Sequence, residues 1–409
     1  MMKQNKRRIE LLLGVWILCS LTFTTIAGLT TQAWAQKAPI KIGILYGLTG
    51  IYAFHSTHGV QGAKLAFSEA NYEVAGRKIE IIVEDDQSPK VAVGMTKARK
   101  LVEKDRVHAI MGIIWSPTGV AVSDYMKRAE VPLVLTESAA REITQEQRHP
   151  YAFRTSFSSG QMTIPFAEYV CKDLGYKRLV TFAFDSVFGH EEADYFARGC
   201  QKGGGTVIKQ IFAPLGTPDM APYLVQIKEQ NPDAVWALWA GKAAIQLLNQ
   251  YQEFGLKGKL PLLGFGSITL DEILDQVPDA AEGTISVYNY SLAFDSPKNK
   301  QFVKAYQETY SMEPNGFAAQ GYLSAKVILA ALQAIGGNAE DKPAFLKALR
   351  NVKFDDSVRG PWRFDEYQNA TSNMYVLKAV RTPQGKVRNS IIYVLKDIEQ
   401  YWPKGKPSK

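Results

Sequence analysis

From residue 39 onward, short β-rich apolar runs alternate with stretches whose apolar residues recur at helical spacing. Residues 39–46 (PIKIGILY) read as a strand, 60–73 as a helix and 78–84 (KIEIIVE) as a strand again. A helix over 90–104, a strand over 107–114, a helix over 118–128 and a strand over 132–135 continue the series. After residue 154 the pattern restarts. Helices over 161–173, 191–202, 220–229 and 243–254 alternate with strands over 178–184, 206–212, 234–238 and 260–264. A long helix over 321–335 and a β-rich tail over 374–395 close the chain. Strands alternating with helices of this length mark βαβ units and parallel sheets. Two such series, with no Gly/Ser-rich or Pro-rich linker between them, predict an α/β fold of two doubly wound lobes packed edge to edge. The length agrees, since roughly 370 residues exceed what one compact core usually holds.

The N-terminus follows a different pattern. Lys3, Lys6, Arg7 and Arg8 precede an apolar run from Leu11 to Leu29, and small and polar residues then lead to Ala33-Trp34-Ala35-Gln36. A charged head, an apolar middle and an Ala-x-Ala ending predict a secretory signal peptide, residues 1–35, cleaved after Ala35. The alternative is a retained anchor, because the apolar run is nearly long enough to span a bilayer. Cys19 raises lipoprotein processing as well, but Leu18 stands where that processing needs a small residue. The mature chain is therefore expected to be soluble and exported.

Removing the leader takes away four basic residues and one acid, so the net charge falls from +8 to +5. Lys and Arg are scattered beside Glu and Asp, with no basic block interleaved with aromatics, so nucleic-acid binding is not expected. Cys171 and Cys200 survive cleavage. Without a C-x-x-C or a Cys/His cluster no metal site is expected, and whether the pair forms a disulfide stays open. Gly43, Gly47 and Gly50 with Asp85 faintly resemble a dinucleotide site, but the spacing is wrong and the acid comes too late. No nucleophile elbow, P-loop or H-E-x-x-H occurs, so an enzyme is the disfavoured class.

In open α/β sheets, ligands bind beyond the carboxyl ends of the strands. After the first strand come Gly47 to Ala53; after the third come Trp115-Ser116-Pro117; after the fourth come Thr136-Glu137-Ser138-Ala139-Ala140. Ser116 before Pro117 has the chemistry of a helix N-cap, and Ser138 precedes helix-forming residues in the same way. Two helix N-termini opening on one crevice would suit a carboxylate. The plainer alternative is that both serines only cap helices.

Those loops also carry a resemblance. IKIGILYGLTGIYAFHSTHGVQGAKLAFSEAN, IIVEDDQSPKVAVGMTKARKLV and IMGIIWSPTGVAVSDYMKRAEVPLVLTESAA, followed by YAFRTSFSSGQ, AFDSVFGHE and LPLLGFGS, resemble the branched-chain amino acid-type (leucine/isoleucine/valine-binding protein-like) periplasmic substrate-binding proteins of ABC transporters. The match runs in order over essentially all of residues 38–400. It implies the type I periplasmic binding protein fold, a periplasmic monomer without a cofactor, a small carboxylate ligand trapped by hinge closure, and an ABC-transporter permease as partner. A sensor subunit that passes its ligand to a receptor would share the fold. Three crossovers would fall near Tyr151, Val287 and Val376. Lobe 1 would then be 36–152 plus 288–375, and lobe 2 153–287 plus 376–409.

Carried over residue by residue, the resemblance assigns Tyr52, Trp115, Ser116, Ser138 and Ala139 to the ligand site in the first lobe. Ser158, Phe188, Trp239 and Gly266 fall at second-lobe positions, with Phe317 reaching in from the first. In the family the serine and neighbouring backbone groups hold the ligand carboxylate. Two departures matter: Gly266 replaces the acid that pairs with an amino-acid ammonium, and Ser158 replaces an aspartate of other relatives. An unpaired buried ammonium is costly, so an α-amino acid is disfavoured unless Glu137 or Asp185 compensates. Tyr52, Trp115, Phe188, Trp239 and Phe317 would wall a flat apolar slot. An aromatic acid of benzoate or cinnamate type fits it first, and a hydrophobic amino acid or its keto acid second. Aromatic residues at strand ends also serve as core or lid packing. His55 and His58 have a spacing that metal ligands use on helices, but no third ligand is near; Arg141 either meets a carboxylate or lies on a solvated face; Arg154 is expected to be structural.

Overall fold

A computed structural model describes residues 37–403 and 405–406, so the leader lies outside the described residues. Strands β1 (Ile40–Tyr46), β2 (Glu73–Val74), β3 (Arg77–Asp85), β4 (Ala109–Gly112), β5 (Leu133–Leu135) and β6 (Ala152–Arg154) form one sheet in the order β2-β3-β1-β4-β5-β6. Apart from the β2–β3 hairpin its pairs are parallel. A central parallel strand is covered on both faces, which is why β1 is almost continuously apolar. Ile42, Ile44 and Tyr46 join one core, while Leu45 joins another with Leu101, Ile110, Val122 and Met126.

Helix α1 (Ala53–Glu69) begins seven residues before its apolar period, because its first turn leaves Phe54 and Thr57 exposed. Helix α2 (Val91–Arg99) runs on into a π-turn at Lys100–Lys104, and α3 (Ser116–Ala129) follows. The second series alternates α4 (Thr163–Lys172), β7 (Arg178–Phe184), α5 (Val187–Lys202), β8 (Thr206–Ala213), α6 (Ala221–Glu229), β9 (Ala234–Leu238), α7 (Gly241–Glu253) and β10 (Leu262–Phe265). Short α8 (Asp271–Gln276) and α9 (Pro278–Ala281) lead to β11 (Ile285–Tyr288). Three helices then return to the first sheet: α10 (Pro297–Tyr310), α11 (Gly316–Ala334) and α12 (Lys342–Arg350). The chain ends in β12 (Lys353–Ser357), β13 (Gly360–Phe364), β14 (Ala370–Arg381) and β15 (Val387–Ile398).

The second sheet runs β12-β13-β14-β11-β10-β9-β7-β8, with β15 on β14. Its β7 to β11 pairs are parallel, and the C-terminal strands add antiparallel. Residues 353–375, assigned to lobe 1 on the resemblance, therefore hydrogen-bond into the second sheet. The β12–β13 hairpin, KFDDS and GPWRF, is too charged and irregular to announce a strand pair.

Helix α11 is buried nearly all round and lies against α1. A Cβ on Gly62 would stand 1.9 Å from the Ala318 carbonyl oxygen, and one on Gly321 would stand 2.0 Å from that of Gly59. Only glycine lets the two backbones approach so closely. Two buried arginines tie the passages between the sheets. Arg154 donates to Asn369 Oδ1 (2.9 Å), while Arg359 donates to the carbonyls of Thr155 (3.0 Å), Ser156 (3.3 Å) and Asn289 (3.0 Å) and to Ser372 Oγ (3.0 Å). Cys171 and Cys200 form a disulfide between α4 and α5, with a Cα–Cα distance of 5.2 Å.

Candidate ligand-binding site

The first-sheet candidates lie in three small groups. Tyr52 immediately precedes α1 and its ring centroid is 5.8 Å from that of Trp115; both rings are half-buried. Burial pushes the Tyr52 hydroxyl up to about 12. Ser116 does not cap α3, whose N-cap is Trp115; Ser116 and Pro117 are its first two residues. The serine hydroxyl instead accepts from the Ala139 N–H at 3.2 Å, which leaves its own proton free to donate. The Ala139 carbonyl accepts from the Ser159 N–H at 2.9 Å.

Ser138 does not start an α-helix either. A four-residue 3-10 turn, Arg141–Thr144, follows it, so one helix N-terminus opens here rather than two. The cause is Arg154, which donates to the carbonyls of Ser138 (2.9 Å) and Ala140 and to Thr144 Oγ1 (2.8 Å), drawing the loop into an irregular path. Ser138 Oγ is buried and finds no hydrogen-bond partner among the described residues. Phe317, the second residue of α11, is oriented by the Asn315 cap, whose Oδ1 accepts from the Phe317 and Ala318 N–H groups (3.0 and 3.1 Å). Its ring lies 4.4 Å from His55. Burial pushes His55 and His58 down to about 4, His58 adding to the shift of His55, so both imidazoles are neutral. His58 Nδ1 is 2.9 Å from the Tyr306 hydroxyl, which itself donates to Gln61 Oε1 (2.7 Å).

The second sheet supplies Phe188, Trp239 and Gly266. Ser186 caps α5 by accepting from the Gly189 N–H (3.1 Å) and so sets Phe188, whose ring is 5.8 Å from Phe265. Trp239 is fully buried between Phe182 (5.1 Å) and Phe184 (6.1 Å). That surrounding makes it core packing rather than an open wall. Gly266 follows β10, and a Cβ there would meet Tyr288 at 2.4 Å. One on Gly316 would meet the same ring at 2.1 Å. Tyr288 thus fills the space into which an acid at 266 would project, and its hydroxyl accepts from Gln320 Nε2 (3.1 Å). Ser158 is buried and engaged with Gln161 Oε1 through its N–H (2.9 Å).

The acids offered as substitutes separate cleanly. Asp185 is 61% exposed and pairs with His190 at 2.8 Å. Glu137 is buried and accepts from the Tyr46 hydroxyl at 3.0 Å. Burial holds its carboxyl well above the usual carboxylate range, against the pull of that hydrogen bond. Arg141 pairs with Glu146 at 2.7 Å, so its charge is already met on the surface side. Among the described residues no group of three or more potential metal ligands occurs.

A model of the periplasmic binding proteins matches residues 39–386. The chain belongs to the periplasmic binding protein family. The Leu/Ile/Val-binding protein homolog 6 of Brucella melitensis is 26% identical over 393 residues, 95% of this chain and 98% of that protein. An ABC transporter substrate-binding protein from Sphaerobacter thermophilus is 35% identical, with a TM-score of 0.86 over 88% of this chain and 99% of that one. A solute-binding protein of an ABC transporter from Rhodopseudomonas palustris, in complex with 3,4-dihydroxybenzoic acid, is 28% identical with a TM-score of 0.82. It covers 88% of this chain and 98% of its own. This periplasmic binding protein is thus a substrate-binding component of the ABC-transporter type. No helix among the described residues is long and apolar enough to cross a membrane.

Sequence reasoning missed several residues of this binding protein. Tyr288, Phe265 and Phe157 form an aromatic cluster with centroids 5.9 to 6.5 Å apart. Phe265 sits one residue beyond the predicted strand 260–264 and ends β10. Tyr288 ends a strand that no alternation announced.

Proposed function

We propose that the protein captures a small aromatic carboxylic acid between two lobes and presents it to the permease of an ABC importer. In this reading the lobes close about the passages braced by Arg154 and Arg359. The leader ending at Ala35 directs export, and Tyr52, Trp115, Ser116, Ala139, Phe188 and Phe317 face the ligand. The observation that carries the reading is the Tyr288 ring against Gly266. An ionised acid cannot stand there, and Asp185 lies at the surface, so neither position offers a partner to an ammonium. What remains is flat and apolar, with the Ser116 hydroxyl as donor for a carboxylate. The Rhodopseudomonas relative with bound dihydroxybenzoate supports the same class.

A hydrophobic amino acid is the second reading. Glu137 favours it, as the one buried acid on the candidate ligand loop, and so does the likeness to Leu/Ile/Val-binding homologues. A thermal-shift screen of benzoates, keto acids and amino acids separates the two. Ligand at a thousandfold excess over Kd stabilises by about 4 kcal/mol. The largest shift is expected with a benzoate; a shift with leucine-like amino acids alone would overturn the aromatic reading.

A further inference from the structure

We propose that Glu137 and Gln320 set the specificity of the cleft by reading a hydroxyl group on the ligand's ring rather than an ammonium. The inference rests on the aromatic-acid reading above and deepens it. Glu137 stands on the loop that carries Ser138 and Ala139 and is 7% exposed. Its Oε1 is engaged by Tyr46, while its Oε2 is buried and has no hydrogen-bond partner among the described residues. Tyr288, at the end of β11 in the second sheet, lies near enough for a charge on Glu137 to bear on its phenol. On that phenol Gln320 spends its Nε2 donor, and the Gln320 Oε1 acceptor is again buried without a partner among the described residues.

The chemistry of this pair is selective. Burial and the Tyr46 hydroxyl are the influences on Glu137, and neither supplies a positive charge. A carboxyl in such surroundings keeps its proton, so Oε2 presents an O–H donor. Gln320 Oε1 presents an acceptor. A hydroxyl both accepts and donates and therefore completes both groups. A ring hydrogen or a methyl leaves two buried polar atoms unmet, and sites built to bond a hydroxyl reject the analogue lacking it. An ammonium only donates: it could meet Gln320 Oε1, but Glu137 would first have to give up its proton to accept from it.

Isothermal titration of the wild type and of E137Q, E137L and Q320M with 4-hydroxybenzoate, benzoate and L-phenylalanine tests this. The wild type is expected to prefer 4-hydroxybenzoate over benzoate by about tenfold or more, the worth of one good buried hydrogen bond. E137Q, which retains a donor and an acceptor, keeps most of that preference. E137L and Q320M bring the ratio to within about threefold of unity. Should E137L fail to fold, the Q320M ratio decides alone. A preference unchanged in E137L and Q320M overturns the inference, as does wild-type binding of L-phenylalanine that E137Q abolishes. Equal wild-type affinity for the two benzoates overturns the hydroxyl reader while leaving the aromatic-acid reading standing. Wild-type binding of neither benzoate overturns both.

Discussion

Arg154 and Arg359 show how much a single side chain decides here. Both are fully buried, and the partners named above are carbonyls, hydroxyls and an amide rather than a carboxylate. Burial lowers each guanidinium to about 10, still above neutral pH, so both remain cations. Their planar forks are spent on backbone and side-chain oxygens, the Thr155 carbonyl being shared with Trp362 Nε1 at 3.1 Å. Removing Arg359 leaves the carbonyls of Thr155, Ser156 and Asn289 without this donor. R359A is therefore expected to lower unfolding stability by about 3 kcal/mol, read from a urea titration, with R359K intermediate. An unchanged midpoint would contradict this account. Arg154 was legible in the sequence as structural through the family resemblance. Arg359 was not, because its carbonyl partners lie 70 and more residues away and no local pattern joins them. Ser116 and Ser138 failed in the opposite direction: cap chemistry was read as available, but the Ala139 N–H takes the Ser116 hydroxyl, while Arg154 takes the Ser138 and Ala140 carbonyls and draws that loop away from a helix.

At the scale of elements, the alternation of apolar runs located β7 and β9 to the residue and most helices to within a turn. Amphipathic helices against parallel strands write their own period. Besides the short β11, it missed α10, α12, β12 and β13, where polar residues dominate and tertiary contacts decide. The α4–α5 pair carries a further stabilising device. The Cys171–Cys200 bond closes a loop with a sequence separation of 29. Chain-entropy arguments put that at about 3 to 4 kcal/mol of stabilisation, chiefly through the unfolded state. A C171A/C200A double variant should lose about that much in urea, and a reductant should lower the wild-type midpoint while leaving the variant's unchanged. Sequence alone left this bond open, since two cysteines on neighbouring helices specify no distance.

At the scale of the molecule, the segment before α11 joins the two halves. Asn315 Nδ2 donates to Glu272 Oε1 (3.2 Å) and Glu313 faces Arg388 (3.5 Å). A cavity of about 660 Å³ opens beside them, lined among others by Asp271, Glu272, Asp275, Glu313 and Arg388. Burial, then the charge of Glu272, pushes the Asp271 carboxyl up to about 7, while Arg388 pulls it down. The unfolded chain has an ordinary aspartate near ~4. Between those values the folded protein binds the extra proton, so stability conferred by Asp271 falls as pH rises through that window. Glu192, buried and also near 7, slopes the same way. His55 and His58, lowered to about 4, slope the opposite way between there and their ordinary value of ~6.5. Raw stability against pH therefore mixes several groups, and the comparison with D271N isolates one. Urea midpoints from pH 5 to 8 should show the wild type losing stability relative to D271N as pH rises, with the difference levelling off above pH 7. Parallel curves would mean that Asp271 titrates normally and that the contacts of residues 311–316 do not hold it away from water.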